Sequence, residues 1–439
     1  MQRLLLLCVF SFLTADFARA QIATQQDFET IGLPQLLVAD PTLTGSGVTV
    51  TQVESAPSPL QFEVNPGSPG QPDSFFTWRS TVGTSGTWPN PVGSESGHAG
   101  DVAEDLYGGN TGIAPGIKHV YNYETSDFFP TVILAGAATT SSVFNQSFGF
   151  GLHNAEQDLA YDNYIARYRT IVVTGVGDGG PVLTPADCYN GIGAAAYGGG
   201  SSTGPSADGR CKPDLTAPAV ETSFSTPLIA GAAAILVQEA RRLGINAVAA
   251  ADSRTVKALL LTGAVKPSGW THSTSVPLDY HYGAGIMNIF NSYEEMIGGR
   301  QWPTASGLTT ASHPPLATGN PITVSRAWDY SGVTSSATAY GVTHYLISVG
   351  GSGDLITTLA WNKQQRQKTI NRLALFVYGP GGTLLASSTS AVDNVQHIYL
   401  TGLAPGTYEI EVVKYPGRIG SPGVISAAEI YSLAWDFER

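Results

Sequence analysis

Three side chains that lie far apart in the chain have the types that together can cleave an acyl bond. Glu54 ends a run rich in valine and threonine, His98 opens a predicted helix, and Ser223 precedes a long apolar segment. A carboxylate can orient a histidine, which then takes the proton of a serine as that serine attacks a carbonyl. If the fold brought them together, residues of these types would permit acyl transfer through a serine nucleophile.

The segment after Ser223 predicts a buried helix. Thr226-Pro227 is a helix-start signal, and residues 228–237 are almost all apolar. A helix that is apolar on every side belongs to a core, and its first amide groups can stabilise an oxyanion. Taken alone, Ser223 could equally be a neighbour of the helix N-cap with no chemical role.

Glu54 and His98 also need strands or helices that position them. Residues 47–55 alternate as in a strand that would end near Glu54, and residues 96–108 predict a helix with His98 in its first turn. Residues 170–180 predict a buried strand that runs into a glycine-rich turn. Strands that alternate with helices in this way predict an α/β fold, a parallel sheet with helices on both faces.

Several motifs resemble those of subtilases, the subtilisin-like serine proteases. KPDLTAP (212–218) and TSFSTP (222–227) resemble the family's active-serine region, and TGIAP (111–115) resembles the turn after its histidine helix. The resemblance covers about residues 45–300. It implies a subtilisin-like fold and an endopeptidase in which Glu54 orients His98 and His98 activates Ser223. The order acid, histidine, serine is that of subtilisin, and no G-x-S-x-G elbow surrounds Ser223.

The resemblance also implies a substrate-binding segment and an oxyanion site. Ser147, Phe148 and Gly149 take the place of the segment that pairs with substrate, which an edge strand can do by strand addition; the alternative is an ordinary core strand ending in a glycine turn. Asp178 replaces the asparagine that donates to the oxyanion. Asp178 can donate only when protonated, which an apolar site or a nearby charge would favour. The glycines around this segment favour a substrate with an uncharged, apolar P1 side chain.

Three departures from the family pattern leave rival functions open. Glu54 stands for aspartate, Asp178 for asparagine, and Glu221 for the glycine two residues before the serine. One rival is a subtilase-fold binding protein of the cell exterior with weak or no hydrolysis. Another is a cell-surface adhesion protein that binds through its C-terminal domain.

Composition and the N-terminus indicate an exported protein. The chain has 439 residues, 13% of them charged, and a formal net charge of -12, which argues against nucleic acid and anionic membranes as partners. Residues 4–13 are apolar and Ala18-Arg19-Ala20 is a small-x-small cleavage site, so residues 1–20 predict a secretory signal peptide. No second stretch predicts a membrane span. We expect a secreted monomer acting on protein or peptide substrates.

Beyond the signal peptide we predict three regions. Residues 21–300 form the peptidase domain, without room for the prodomain common in subtilases. Residues 301–321 form a linker, and residues 322–439 form a β-sandwich resembling the jelly-roll domain appended to secreted subtilases. In that domain Tyr408, Ile410 and Val412 alternate with Glu409 and Glu411, which predicts one buried and one solvated face. Strands are predicted over residues 355–361, 373–378, 397–400, 408–413 and 431–437.

The cysteines and the cofactor question stay open at this point. Cys8 leaves with the signal peptide, so Cys188 and Cys211 remain, and in an exported protein they can form a disulfide or stay as two buried thiols. No metal-ligand motif is present and no cofactor is predicted. A structural calcium ion is the one alternative left open.

Overall fold

An eight-stranded sheet is the centre of the N-terminal part of the chain. The structure, a computed structural model, describes residues 22–56, 58, 60–316 and 319–438, so the predicted signal peptide lies outside the described residues. The strands of this part are β1 Thr49–Glu54, β2 Gln61–Glu63, β3 Phe76–Ser80, β4 Gly83–Ser85, β5 Ser94–Glu95, β6 His119–Glu124, β7 Val143–Gln146, β8 Ile171–Gly175, β9 Ile192–Tyr197 and β10 Leu215–Pro218.

Pairing in this sheet is parallel except at one edge. The strand order is β10-β9-β8-β7-β1-β6-β3-β4, and only β3 and β4 run antiparallel. The carboxyl ends of adjacent parallel strands lie at the same edge of a sheet. The ends of β1, β7 and β8 therefore bring Glu54, Ser147 and the glycine-rich turn after Gly175 to one edge.

Helices cover both faces of the sheet, which confirms the predicted α/β architecture. Along β8, Ile171 and Val173 join the core beneath α3 and α6, whereas Val172 joins the opposite core with residues of α5. The helices are α1 Gln25–Thr30, α2 Leu33–Ala39, α3 Gly97–Tyr107, α4 Thr125–Phe128, α5 Ala155–Tyr168, α6 Thr222–Ala240, α7 Ala247–Ala250, α8 Ser253–Thr262 and α9 Ile289–Ile297, with a π-type turn at Phe129–Leu134 and short 3-10 turns at Asp73–Phe75 and Gly244–Asn246.

Helix α6 is the predicted core helix, but it begins at Thr222 and Pro227 lies inside it. Every residue of α6 is buried except Ser223. A proline inside a helix leaves the carbonyl four residues earlier without its donor, and here that carbonyl belongs to Ser223. The Ser147 hydroxyl donates to the Ser223 carbonyl at 2.8 Å and replaces the missing bond. This tertiary hydrogen bond explains why the helix can start before the proline.

Residues 56–95 are rich in proline, glycine, serine and threonine, yet they contribute strands to the main sheet. β3 pairs with β6, and β4 extends the edge. Trp78 on β3 is fully buried, and its indole donates to the Val64 carbonyl at 3.0 Å. The sequence analysis does not predict this five-residue strand, because the many proline and glycine residues around Trp78 obscure it.

The C-terminal part consists of two antiparallel sheets with an apolar core between them, as predicted for a β-sandwich. One sheet has the order β11-β13-β18-β15-β16 and the other β12-β19-β14-β17. The strands are β11 Ala305–Thr309, β12 Arg326–Thr334, β13 Tyr340–Val349, β14 Gly353–Trp361, β15 Leu373–Tyr378, β16 Leu384–Ser388, β17 Val395–Leu403, β18 Gly406–Lys414 and β19 Ala428–Asp436.

Two expectations for this part are wrong. Residues 305–309 of the predicted linker form β11, which pairs with β13 and belongs to the sandwich. Glu409 and Glu411, predicted on a solvated face, are 3% and 0% exposed. They are buried because the chain before residue 317 folds over the outer face of the sheet, where the Leu316 amide donates to Glu409.

The two parts share a continuous packed boundary. Helix α8 lies against the four-stranded sheet, where the Thr255 hydroxyl meets Ser432 at 2.7 Å and the Thr262 hydroxyl donates to Thr358 at 2.8 Å. The indole of Trp328 donates to the Met296 carbonyl of α9 at 3.0 Å. The sandwich therefore completes the burial of α8 and α9.

The disulfide considered for Cys188 and Cys211 is not formed. Both are buried free thiols. Cys188 packs in the core under α5, whereas Cys211 belongs to the core on the α6 side of the sheet. Of the helices in the described part of the chain, none is both long and apolar enough to cross a membrane.

Buried charges join α8 to the start of β10. Asp214, 2% exposed, accepts from the Lys257 ammonium at 2.8 Å, from the Gly193 amide at 2.7 Å, and from Lys212. Burial raises the pKa of Asp214, but Lys212 and Lys257 lower it by more, so the carboxylate stays ionised. This arrangement gives the KPDLTAP motif a structural role.

We expect Asp214→Asn to reduce the free energy of unfolding by about 3–5 kcal/mol, because it leaves two buried ammonium groups without their counter-ion. The matched control is Glu294→Gln, which removes a partly exposed partner of Arg326 and should cost about 1 kcal/mol or less. Chemical denaturation of both variants measures the difference. Equal losses in the two variants would contradict the assigned role of Asp214.

Candidate active site

Buried Glu54 and partly exposed His98 form a hydrogen-bonded pair at the carboxyl edge of the sheet. Glu54 is the last residue of β1 and is 2% exposed, and His98 lies in the first turn of α3. The Glu54 Oε2 and His98 Nδ1 atoms are 2.8 Å apart. Ser96 caps α3 by accepting from the Ala99 amide, as its position before the helix predicts. The glutamate thus reaches the ring nitrogen despite its extra methylene.

A second layer of hydrogen bonds holds the Glu54 carboxylate in place. The Gln52 amide donates to Glu54 Oε1 at 2.7 Å and to the Ala99 carbonyl at 2.9 Å. The Tyr107 hydroxyl in turn donates to Gln52 Oε1. These residues come from β1 and α3, so the network ties Glu54 to the helix that carries His98. The sequence analysis did not identify Gln52 or Tyr107. Gln52 could have been found, because it lies two residues before Glu54 on β1 and therefore faces the same side of the sheet.

The surroundings of His98 favour its protonated form. Burial by itself lowers the pKa of His98, but the carboxylates of Glu54, Asp101 and Glu221 raise it by more. The pKa of His98 therefore lies above its ordinary value. A histidine with a raised pKa becomes a free base only at higher pH, while its cation is stabilised once it has taken a proton.

Ser223 is held against the segment that follows β7. The Ser223 hydroxyl donates to the Ser147 carbonyl at 3.3 Å, and the Ser147 hydroxyl donates back to the Ser223 carbonyl. Asn145 also donates to the Ser147 hydroxyl, at 3.1 Å. The pair fixes the first turn of α6 relative to the carboxyl edge of the sheet.

His98 and Ser223 face the same region without a direct hydrogen bond. The rings of His98 and Phe224, the residue after the serine, have centroids 5.9 Å apart. Within the described residues, no hydrogen bond joins the His98 ring to the Ser223 hydroxyl. Such bonds often tighten only with a substrate in place. Rotation about the Cα–Cβ bond of Ser223 would move its hydroxyl away from the Ser147 carbonyl and let it donate to another acceptor.

Asp178 lies at the N-terminus of α6. Its Oδ1 accepts from the Thr222 amide at 2.7 Å, and the Gly177 amide donates to the Thr222 hydroxyl at 3.3 Å. The Asp178 side chain is exposed, so the apolar surroundings expected to protonate it are not formed by the chain itself. One carboxyl oxygen is thus used as a helix cap, and the other remains available for a ligand.

The substrate segment differs from the expected edge strand. β7 is paired on both sides, with β1 and β8, so residues 143–146 cannot accept another strand. Only Ser147, Phe148 and Gly149 extend beyond this pairing. A Cβ built on Gly149 or on Gly177 would lie 2.8 Å from Leu183. Leu183, which sequence reasoning did not single out, forms an apolar wall between these two glycine segments.

Two clusters in the described part of the chain have the donor types of a metal site. His153 lies 2.5 Å from Asp187 and 3.2 Å from Asp158. Burial and the neighbouring Asp187 raise the pKa of Asp158 to about 9. The second cluster contains His344 and lies in the sandwich. Neither cluster includes a residue of the Glu54–His98 pair.

We expect Glu221→Gln to lower the pKa of His98, because it removes one of the carboxylates that raise it. Glu221 is exposed, so solvent and salt screen its effect, and the shift should be small and should decrease as salt is added. A titration of the His98 ring by NMR measures it. Glu29→Gln, an exposed carboxylate on α1, is the control and should leave the His98 curve in place; an unshifted curve in Glu221→Gln would refute the assignment.

Comparisons with known proteins concern the N-terminal part. Residues 76–285 match the model of the Subtilase family, and a comparison with curated proteins found no match. Similar solved structures include the prenylagaramide maturation protease PagA (20% identity, 60% of this chain, 97% of that chain, TM-score 0.43). A protease from Pseudoalteromonas arctica is also similar (19% identity, 60% of this chain, 93% of that chain, TM-score 0.42). So is Pseudomonas sedolisin, a serine-carboxyl proteinase (16% identity, 64% of this chain, 100% of that chain, TM-score 0.44).

The matched range includes His98, Asp178 and Ser223, whereas Glu54 lies before it. Residues 76–285 are therefore identified as a domain of the subtilase family of serine peptidases.

Proposed function

We propose that this protein is a secreted serine endopeptidase that uses Glu54, His98 and Ser223 as its catalytic triad. The observation that carries the proposal is the hydrogen bond of 2.8 Å between buried Glu54 and partly exposed His98, next to the helix turn that holds Ser223. Ser223 is also the one residue of α6 that is not buried. A side chain accessible at the N-terminus of a core helix is placed to meet a substrate.

The proposed reaction has two acyl-transfer steps. His98 takes the Ser223 hydroxyl proton as the serine oxygen attacks the peptide carbonyl, and Glu54 stabilises the resulting imidazolium. His98 then gives the proton to the leaving amine, and an acyl-enzyme forms on Ser223. Water attacks this ester with His98 again as base, which releases the acid and restores the serine. The raised pKa of His98 favours the imidazolium formed in both steps.

The oxyanion would be held by the Ser223 amide and by Asp178. With Oδ1 occupied by the Thr222 amide, the proton of Asp178 would be on Oδ2. A bound peptide would cover this exposed carboxyl and remove water from it, which favours the neutral form. Because His98 must be neutral to act as the base while Asp178 must be protonated to donate, we expect activity in a narrow pH range.

The proposed substrate is an extended peptide that lies along Ser147, Phe148 and Gly149. Backbone groups beyond the paired part of β7 can bond to it. The Leu183 wall favours an uncharged, apolar side chain on the acyl side of the cleaved bond. We also propose that the protein is exported, on the basis of its N-terminal segment. Two free thiols do not conflict with export, because Cys188 and Cys211 are buried and neither is exposed to oxidation.

A fluorophosphonate probe tests the nucleophile. We expect covalent labelling at Ser223, lost in Ser223→Ala and reduced at least about 10³-fold in rate in His98→Ala, which lacks the base. Ser225→Ala, at a nearby serine of α6 whose hydroxyl bonds to the Thr222 carbonyl, is the control and should still be labelled. Folded protein that is not labelled at Ser223 at any pH would favour the binding-protein alternative, in which the Ser147–Ser223 bonds are purely structural.

The role of Asp178 has its own test. Asp178→Asn keeps an oxygen for the Thr222 amide and offers an N–H donor that does not ionise, so we expect its kcat/KM to persist at pH values where the wild-type value falls. Asp178→Ala removes both groups and should lower kcat by about 10²–10³, the usual cost of one oxyanion donor. The pH dependence of peptide hydrolysis by the three proteins measures this. An asparagine variant less active than wild type at every pH would contradict the assignment.

A further inference from the structure

A cluster of one histidine and two glutamates lies on the outer face of the five-stranded sheet. His344 on β13 is directly opposite Glu411 on β18, and Glu409 lies two residues earlier on the same face. The apolar neighbours Tyr408, Ile410 and Val412 point to the core between the two sheets. The cluster is therefore separate from both the sandwich core and the candidate active site.

The chain before residue 317 covers this cluster. The His313 ring stacks on Phe376 with centroids 4.4 Å apart, and the Leu316 amide donates to Glu409 Oε2 at 2.7 Å. Tyr378 donates to Glu411 Oε2 at 3.2 Å. His344, Glu409 and Glu411 are 9%, 3% and 0% exposed, so the sheet face predicted to be solvated is instead an interior.

In the described part of the chain, one carboxylate oxygen of this interior has no hydrogen-bond donor. His344 Nδ1 lies 2.6 Å from Glu409 Oε1 and 4.0 Å from Glu411 Oε1. Among the described residues, no group donates a hydrogen bond to the fully buried Glu411 Oε1. When both are ionised, two adjacent buried carboxylates beside one imidazole carry an excess of negative charge, and an oxygen without a donor in such a place is costly unless a cation or a proton meets it.

We propose that His344, Glu409 and Glu411 bind a divalent first-row cation of the Zn²⁺ type. Each residue offers one ligand atom, and these atoms all lie within 4.8 Å of one another. An imidazole nitrogen with carboxylate oxygens is a donor set that Zn²⁺ accepts, whereas Ca²⁺ takes oxygen ligands. The cation would replace the His344–Glu409 hydrogen bond with two metal bonds and engage Glu411 Oε1.

The surroundings allow a cation to enter and give it a structural role. Glu409 lines a surface cleft of about 630 Å³, which offers a path from solvent. The three ligands come from two neighbouring strands, and Glu409 also holds the covering segment through Leu316. Binding would thus connect β13, β18 and that segment, and it would stabilise the C-terminal domain without contact with His98 or Ser223.

The test uses the metal-free full-length protein and Zn²⁺ alone, followed by titration calorimetry and thermal unfolding. We expect saturable binding and an unfolding midpoint raised by a few degrees. Glu411→Gln should weaken binding at least about tenfold. Co²⁺ in the wild-type protein should give the visible spectrum of a low-coordinate nitrogen and oxygen site.

Two control variants distinguish binding at this cluster from Zn²⁺ binding elsewhere on the protein. Glu429→Gln makes the same change at a buried carboxylate of β19 that bonds to Gln364 and Asn371, and it should leave binding intact. Asp158→Asn alters the other histidine cluster and should also leave this binding intact. The proposal is overturned if Zn²⁺ binding survives Glu411→Gln, if it is lost in Asp158→Asn, or if the metal-free wild type binds no Zn²⁺ and a proton alone occupies the cluster.

Discussion

The candidate site depends on where the N-terminus of α6 meets the carboxyl edge of the parallel sheet. Ser147, just beyond β7, and Ser223, in the first turn of α6, exchange two hydrogen bonds. One of these bonds satisfies the carbonyl that Pro227 leaves without a helical donor. If this contact were absent, the first turn of α6 would lose a hydrogen bond, and the serine would lose its fixed position near His98.

Glu54 and His98 are held at the same edge of the sheet, again by the ends of their elements. Glu54 ends a central strand, His98 starts a helix, and Gln52 bonds to both the carboxylate and the helix backbone. Burial of Glu54 makes its interaction with His98 stronger than it would be in water. The desolvation cost of that burial is offset by the Gln52–Tyr107 network, so positioning residues as well as the pair itself belong to the site.

The sandwich shows how a local pattern can be overruled by packing. The five strands predicted there are present, because alternation of apolar residues is a local signal. The alternating glutamates of β18 nevertheless lie inside, since a distant segment of the chain covers the outer face of the sheet. A similar effect explains the missed strands β3 and β11, whose surroundings rich in proline, glycine or serine look irregular until a neighbouring strand supplies the pairing.

The sequence by itself determined the order and type of the main elements, the burial of α6, and the residue types of the candidate triad, because these follow from periodicity, caps and motifs. Only the tertiary structure decided that Glu54 reaches His98, that Asp178 caps α6, that β7 is an interior strand, and that Cys188 and Cys211 stay apart. Each of these depends on distances between residues far apart in the chain. Local pattern carries no information on such distances, whereas strand order and side-chain packing set them.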